Sequence, residues 1–146
     1  MDLMAFRRMV MQRMSQGVEI IKGSITPSTT PNCVISIGKT LTKYMYLVEL
    51  TDDSKTALLA SGISSNRTYA LIGMYPPANI GNYSQSLMYA TYRVNPSSGA
   101  ISVATANAAA NTSGSQIEIG TGAPSSAGAN YMMTGYTYKY TIIPLD

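Results

Sequence analysis

Seven carboxylates, ten basic side chains, one thiol and no imidazole are what this 146-residue chain offers for chemistry. Without histidine, a Ser-His-Asp triad, a His-ligated zinc site and a His proton relay cannot be assembled from the chain alone. The serines therefore lack the usual general base, and no lysine sits at a spacing that would replace it. Glu19, Glu49 and Glu118 fall in extended patterns. Two carboxylates some 5–9 Å apart would suit glycoside hydrolysis, but nothing in the spacing brings two of these together. Asp52-Asp53 could give oxygens to calcium. That ion wants roughly 6–8 oxygens from several spaced acids, and here Lys55 follows the adjacent pair, so a solvated turn is expected over 51–55. Gly38-Lys39-Thr40 matches the end of a phosphate-binding loop. The required first glycine would stand at position 33, which is Cys33, and the residues after Thr40 read as a strand rather than a helix. Cys33 lies in the run Cys33-Val34-Ile35-Ser36-Ile37 and is expected to be a buried free thiol. As the only cysteine it cannot make an intramolecular disulfide. The expectation is a non-enzyme with no catalytic residues, no metal and no cofactor.

The remaining chemistry is that of surfaces. Charged residues are only 12% of the chain, about half the usual ~25%, so uncharged polar groups must keep it in water. It has 17 Ser, 15 Thr and 8 Asn. The net charge of +3 is uneven. Asp2, Arg7, Arg8 and Arg13 leave the first 16 residues at +2, while the other 130 residues carry seven positive and six negative groups. A near-neutral body offers no field that would gather nucleic acid. No apolar stretch approaches the ~18 residues of a membrane span, so no membrane insertion is expected.

Residues 2–16 carry helical periodicity. Leu3, Met4, Phe6, Val10, Met11 and Met14 share one arc, and Arg8, Gln12, Arg13, Ser15 and Gln16 share the other. Asp2 suits an N-cap and Gly17 a C-terminal stop. Arg7 lies inside the apolar arc, so its guanidinium must snorkel to water or meet an acceptor on a partner. Arg7-Arg8 and Gln12-Arg13 interrupt the apolar residues, unlike the unbroken core of an export signal. The helix either packs on its own body or packs on other chains. Methionines at 1, 4, 9, 11 and 14 favour the second, because the flexible thioether adapts to irregular partner surfaces. Leu3, Met4, Phe6, Arg7, Val10, Met11 and Met14 are the candidate assembly interface.

After Gly17 the period shortens to two. Extended patterns run over 18–26, 32–37, 43–50, 56–60, 68–75, 86–94, 100–104, 115–120 and 131–145, separated by Gly, Pro, Asn and Ser turns. No second helical segment is expected. About eight or nine short strands at this spacing predict a mainly β fold, an antiparallel β-sandwich or jelly-roll-like body over 18–146, preceded by one N-terminal amphipathic helix within 1–17. Of 11 tyrosines, Tyr44 and Tyr46 share one strand face, and Tyr136, Tyr138 and Tyr140 share another, where cross-strand aromatic packing is expected. Tyr75, Tyr83 and Tyr131 border loops and are the candidates for surface contact, including contact with a glycan.

Both ends of the chain resemble a known group. The opening Met1-Asp2-Leu3-Met4-Ala5-Phe6-Arg7-Arg8-Met9-Val10-Met11, the segment Ile20-Ile21-Lys22-Gly23-Ser24-Ile25 and the closing Tyr136-Thr137-Tyr138-Lys139-Tyr140-Thr141-Ile142-Ile143 are similar to small structural proteins of phages and prophages of gut Firmicutes. The resemblance covers about a quarter of the chain and transfers no site residues. It implies a virion component assembled in the host bacterial cytoplasm, where neither export signal nor disulfide is needed. A tail-fibre or baseplate accessory protein touching the host surface is favoured over a capsid decoration or head-fibre protein. A stand-alone carbohydrate-binding module is the further alternative. The expected partners are other virion proteins and copies of the chain itself. A trimer is favoured, because three helices could bury their apolar arcs together.

Overall fold

The computed structural model describes residues 2–28, 32–77, 88–104, 110–126 and 131–146. The described residues form two helices and ten strands: α1 (Leu3–Ser15), β1 (Ile21–Ile25), β2 (Asn32–Ser36), β3 (Tyr44–Leu50), α2 (Asp52–Ala60), β4 (Arg67–Tyr75), β5 (Met88–Val94), β6 (Ile101–Ala104), β7 (Ala110–Thr112), β8 (Gln116–Gly122), β9 (Met132–Met133) and β10 (Tyr138–Pro144). The large sheet has the order β1-β10-β3-β4-β5-β6, with every pairing antiparallel. The smaller sheet has the order β2-β8-β7, and β9 joins β8 in parallel. The two sheets form the expected mainly β sandwich, with α1 ahead of it.

Strand burial follows from what covers each face. β2 alternates exposed and buried, because only its Cys33 and Ile35 face the other sheet. β3 is buried at all seven positions. Tyr44, Tyr46, Val48 and Leu50 point toward the smaller sheet, while Met45, Leu47 and Glu49 point to the side that α1 covers. A strand covered on both faces reads as a nearly continuous apolar run, as Tyr44–Leu50 does. Burial raises the pKa of the Cys33 thiol, consistent with an inert core position.

Tyrosine fills the layer between the sheets. Tyr44, Tyr46 and Tyr138 are fully buried. The Tyr44 hydroxyl donates to the Ser113 carbonyl at 2.8 Å, and the Met133 N–H donates to the Tyr138 hydroxyl at 2.9 Å. Both bonds tie the large sheet to the smaller one or its margin. Two tyrosines lie over cross-strand glycines. Tyr46 is opposite Gly73 and Tyr140 is opposite Gly23. A Cβ at either glycine would overlap the phenol end of the facing ring, so that ring would have to move before any side chain could enter.

Two expected elements differ. The segment 51–60, expected as a turn followed by a strand, is the helix α2. Thr51 caps it, accepting from the Ser54 N–H at 3.3 Å, and Asp52 and Asp53 occupy the first turn, where their charge complements the helix dipole. Leu58 is buried beneath it. The segment 131–145, expected as one long strand, breaks at Gly135, whose φ of 85° belongs to the left-handed region. Tyr136 therefore precedes β10 and does not share a strand face with Tyr138 and Tyr140.

Candidate functional site

The side of β3 away from the smaller sheet carries Met45, Leu47 and Glu49. Register places Thr141 and Ile143 of β10, Ile72 and Ala70 of β4, and Tyr92 of β5 on the same side. α1 lies across this surface. Its N-terminus is set by Asp2, whose carboxylate accepts from the Ala5 N–H at 2.6 Å, and by the Leu3 N–H donating to the Tyr92 hydroxyl. Phe6 is fully buried, and Leu3, Met9 and Val10 pack on the core beside it. Burying the Phe6 ring contributes on the order of 2–3 kcal/mol, enough to hold a helix too short to persist alone in water.

Arg7 meets an acceptor, but it belongs to this chain and not to a partner. One guanidinium nitrogen donates to the Glu49 carboxylate at 2.9 Å. Glu49 is nearly inaccessible while Arg7 remains half-exposed, so the pair neutralises a buried carboxylate from the solvent side. Phe6, Arg7, Val10 and Met11 of α1 face Leu47 and Glu49 across a cleft of about 280 Å³, which Lys22 and Thr141 complete.

The helix is rolled relative to its own apolar arc. One edge of the arc, Leu3, Phe6 and Val10, faces the sheet. The other edge, Met4, Met11 and Met14, faces outward and is 64%, 70% and 50% exposed. Of the seven candidate interface residues, Phe6 is thus buried inside the chain, Leu3 and Val10 are half-buried, Arg7 is tied to Glu49, and three methionines remain free to meet another surface. An apolar arc broader than the sheet can cover is legible in the sequence, but which edge turns inward is not.

The candidate surface tyrosines do not form one platform. Tyr75 is half-buried and stacks on Tyr44, with ring centroids 5.4 Å apart. Tyr131 is 43% exposed and adjoins Met132, which pairs with Thr121 at the far end of β8. Tyr44, beside Tyr75, bonds near the start of β8. Tyr75 and Tyr131 therefore sit at opposite ends of the sandwich. Tyr83 and the loop 78–83 lie outside the described residues.

The three strand-pattern glutamates are also kept apart. Glu49 lies under α1. Glu118 is on the outer face of the smaller sheet, opposite the exposed Val34, and accepts from the Asn32 side chain at 3.1 Å. Glu19 precedes β1 and lies 4.0 Å from Lys39. Among the described residues no three His, Cys, Asp or Glu side chains cluster to hold a metal, and no helix is long and apolar enough to cross a membrane.

Arg67, at the start of β4, is a residue the sequence did not single out. It is 5% exposed. Its guanidinium donates to the carbonyls of Asn66 at 2.7 Å, Ser125 at 2.9 Å and Pro124. The turn after β8 is thereby clamped to the large sheet. Only the fold brings Ser125 to Arg67, so no local signal could have found it. Nothing in the comparisons supplies a precedent: no family model, no curated protein and no solved structure matches this chain.

Proposed function

We propose that the protein is a non-enzymatic bacteriophage virion component, displayed on the particle and docked through α1. A tail-fibre or baseplate accessory role is preferred, with capsid decoration or head fibre as the alternative placement. The resemblance of both chain ends to small phage structural proteins motivates the class. The observation that carries the docking role is the outward methionine edge Met4, Met11 and Met14 on a helix already anchored by Phe6 and Arg7. A helix fixed to its own sheet needs no further apolar edge for folding. Three exposed thioethers therefore suit a surface that must fit other chains, either neighbouring copies, of which three is the favoured number, or other virion proteins. Host-surface contact falls on Tyr131, whose ring is open at the far end of the sandwich.

The test replaces the methionine edge and leaves the anchor alone. The triple variant Met4→Lys, Met11→Lys, Met14→Lys is expected to keep the wild-type circular dichroism and melting temperature, since all three side chains are exposed. In a phage carrying the variant gene, the protein should be missing from purified particles. Wild-type incorporation of the folded variant would end the docking role.

A further inference from the structure

The two edges of the large sheet are built differently. β1, at one edge, carries the exposed Lys22 as its second residue. A charged residue on an edge strand opposes strand addition, because a paired neighbour would have to desolvate it. β6, at the other edge, is Ile101-Ser102-Val103-Ala104 and carries no charge and no proline. Ile101 and Val103 are 48% and 63% exposed, and Ser102, which points to the opposite side, is exposed as well. β6 therefore overhangs the smaller sheet. Among the described residues it pairs only with β5.

We infer that β6 pairs antiparallel with β6 of a second copy, about a two-fold axis at Ser102. The choice of occupant follows from register. Directly opposed residues in an antiparallel pair point to the same side of the sheet, so a self-pair must oppose residues of like parity. Centring on Ser102 sets Ile101 against Val103 of the other copy, Val103 against Ile101, and Ser102 against itself. The two exposed β-branched side chains then cover each other twice. An uncharged strand also meets its own copy without the like-charge repulsion that a Lys22-bearing edge would bring. Val103 is the cross-strand partner of Tyr92, whose hydroxyl receives the Leu3 N–H, so the contact adjoins the start of α1. It is separate from the methionine-edge docking above and does not depend on the virion reading.

Two measurements test it. First, Ser102→Cys should form a disulfide-linked dimer under mild oxidation, because opposed Cα atoms across an antiparallel pair lie about 4.5–5.5 Å apart, inside the range a disulfide spans. Ser97→Cys, equally exposed on the preceding turn, is the control and should remain monomeric on a non-reducing gel. Cys33 is buried and does not compete. Second, Val103→Lys should halve the mass measured by light scattering while leaving circular dichroism unchanged. Equal cross-linking of both cysteine variants, or none at Ser102→Cys, overturns the two-fold register. An unchanged mass for Val103→Lys overturns the interface. A mass that falls only in the methionine-edge variant places self-association on α1 and also overturns it.

Discussion

The two sides of β3 solve one problem, burying a strand completely, by different means. Toward the smaller sheet it presents Tyr44, Tyr46, Val48 and Leu50, meeting a second layer of strands whose register is fixed by backbone bonding. Toward α1 it presents Met45, Leu47 and Glu49, meeting a single helix held by one aromatic ring, one ion pair and one bond to a phenol. The first side is closed and aromatic. The second keeps a cleft of about 280 Å³ between helix and sheet and leaves an apolar helix edge uncovered. The closed layer is made from large aromatic side chains, and the helix edge left open is made from flexible methionines, Met4, Met11 and Met14.

The largest expected effect breaks the tyrosine side. Burial raises the phenol pKa values of Tyr44, Tyr46 and Tyr138 well above the ordinary 10.0. A raised folded-state value means that these groups contribute their full stability below pH 10. That contribution is lost as pH climbs from the unfolded value toward the folded ones. Three phenols act together, so cooperative alkaline unfolding above about pH 10 is expected, with tyrosinate absorbance and loss of circular dichroism moving as one. Smooth ionisation of all the tyrosines with the β signal intact would show that the layer is not sealed.

On the helix side, Phe6→Ala removes the one fully buried ring of α1. A loss of roughly 3 kcal/mol is expected, about 10 °C in melting temperature for a domain of this size. Met11→Ala, on the same helix but exposed, should stay within about 0.5 kcal/mol. Equal losses from the two would mean that α1 does not sit as described, and the contrast between anchored and free edges would disappear.

How far the sequence foretells this arrangement depends on how local each signal is. The period change at Gly17 and the Pro/Gly/Asn turns locate most strands and the sandwich class, because alternation is a property of neighbouring residues. α2 was hidden because Asp52-Asp53 suits a solvated turn as well as a first helical turn, and only the Thr51 cap distinguishes the two. The break at Gly135 was hidden because the residues on either side of it are strand formers. At the candidate site, the apolar arc of α1 was legible. Its roll was not, since the sheet surface beneath it is assembled from β3, β4, β5 and β10, distant in sequence. Glu49 as the partner of Arg7, 42 residues away, has the same cause.

A smaller effect separates two glycines that look alike. At Gly73 a methyl group would strike the ring of Tyr46, which is fully buried and has nowhere to go. Gly73→Ala should cost about 2 kcal/mol as overpacking. At Gly23 the obstructing ring is Tyr140, half-buried beside the edge strand and able to swing outward. Gly23→Ala should cost less than about 1 kcal/mol. Denaturant melts of the two variants compare them directly, and a reversed order would mean that the Tyr46 layer is looser than the edge.

The smallest effect carries the sharpest sign. The Tyr44 hydroxyl donates to the Ser113 carbonyl. The Tyr46 hydroxyl, buried in the same layer, has no hydrogen-bond partner among the described residues. Removing a bonded hydroxyl costs about 1 kcal/mol, whereas removing an unbonded one relieves the penalty of having taken it out of water. Tyr44→Phe should therefore destabilise by about 1 kcal/mol. Tyr46→Phe should be neutral or should stabilise by up to about 1 kcal/mol. The ring centroids are only 6.2 Å apart, so the two sites share an environment and differ mainly in bonding. A loss at Tyr46→Phe equal to that at Tyr44→Phe would show that the Tyr46 hydroxyl has found a partner, such as an enclosed water, and that the aromatic layer is wetter than its packing implies.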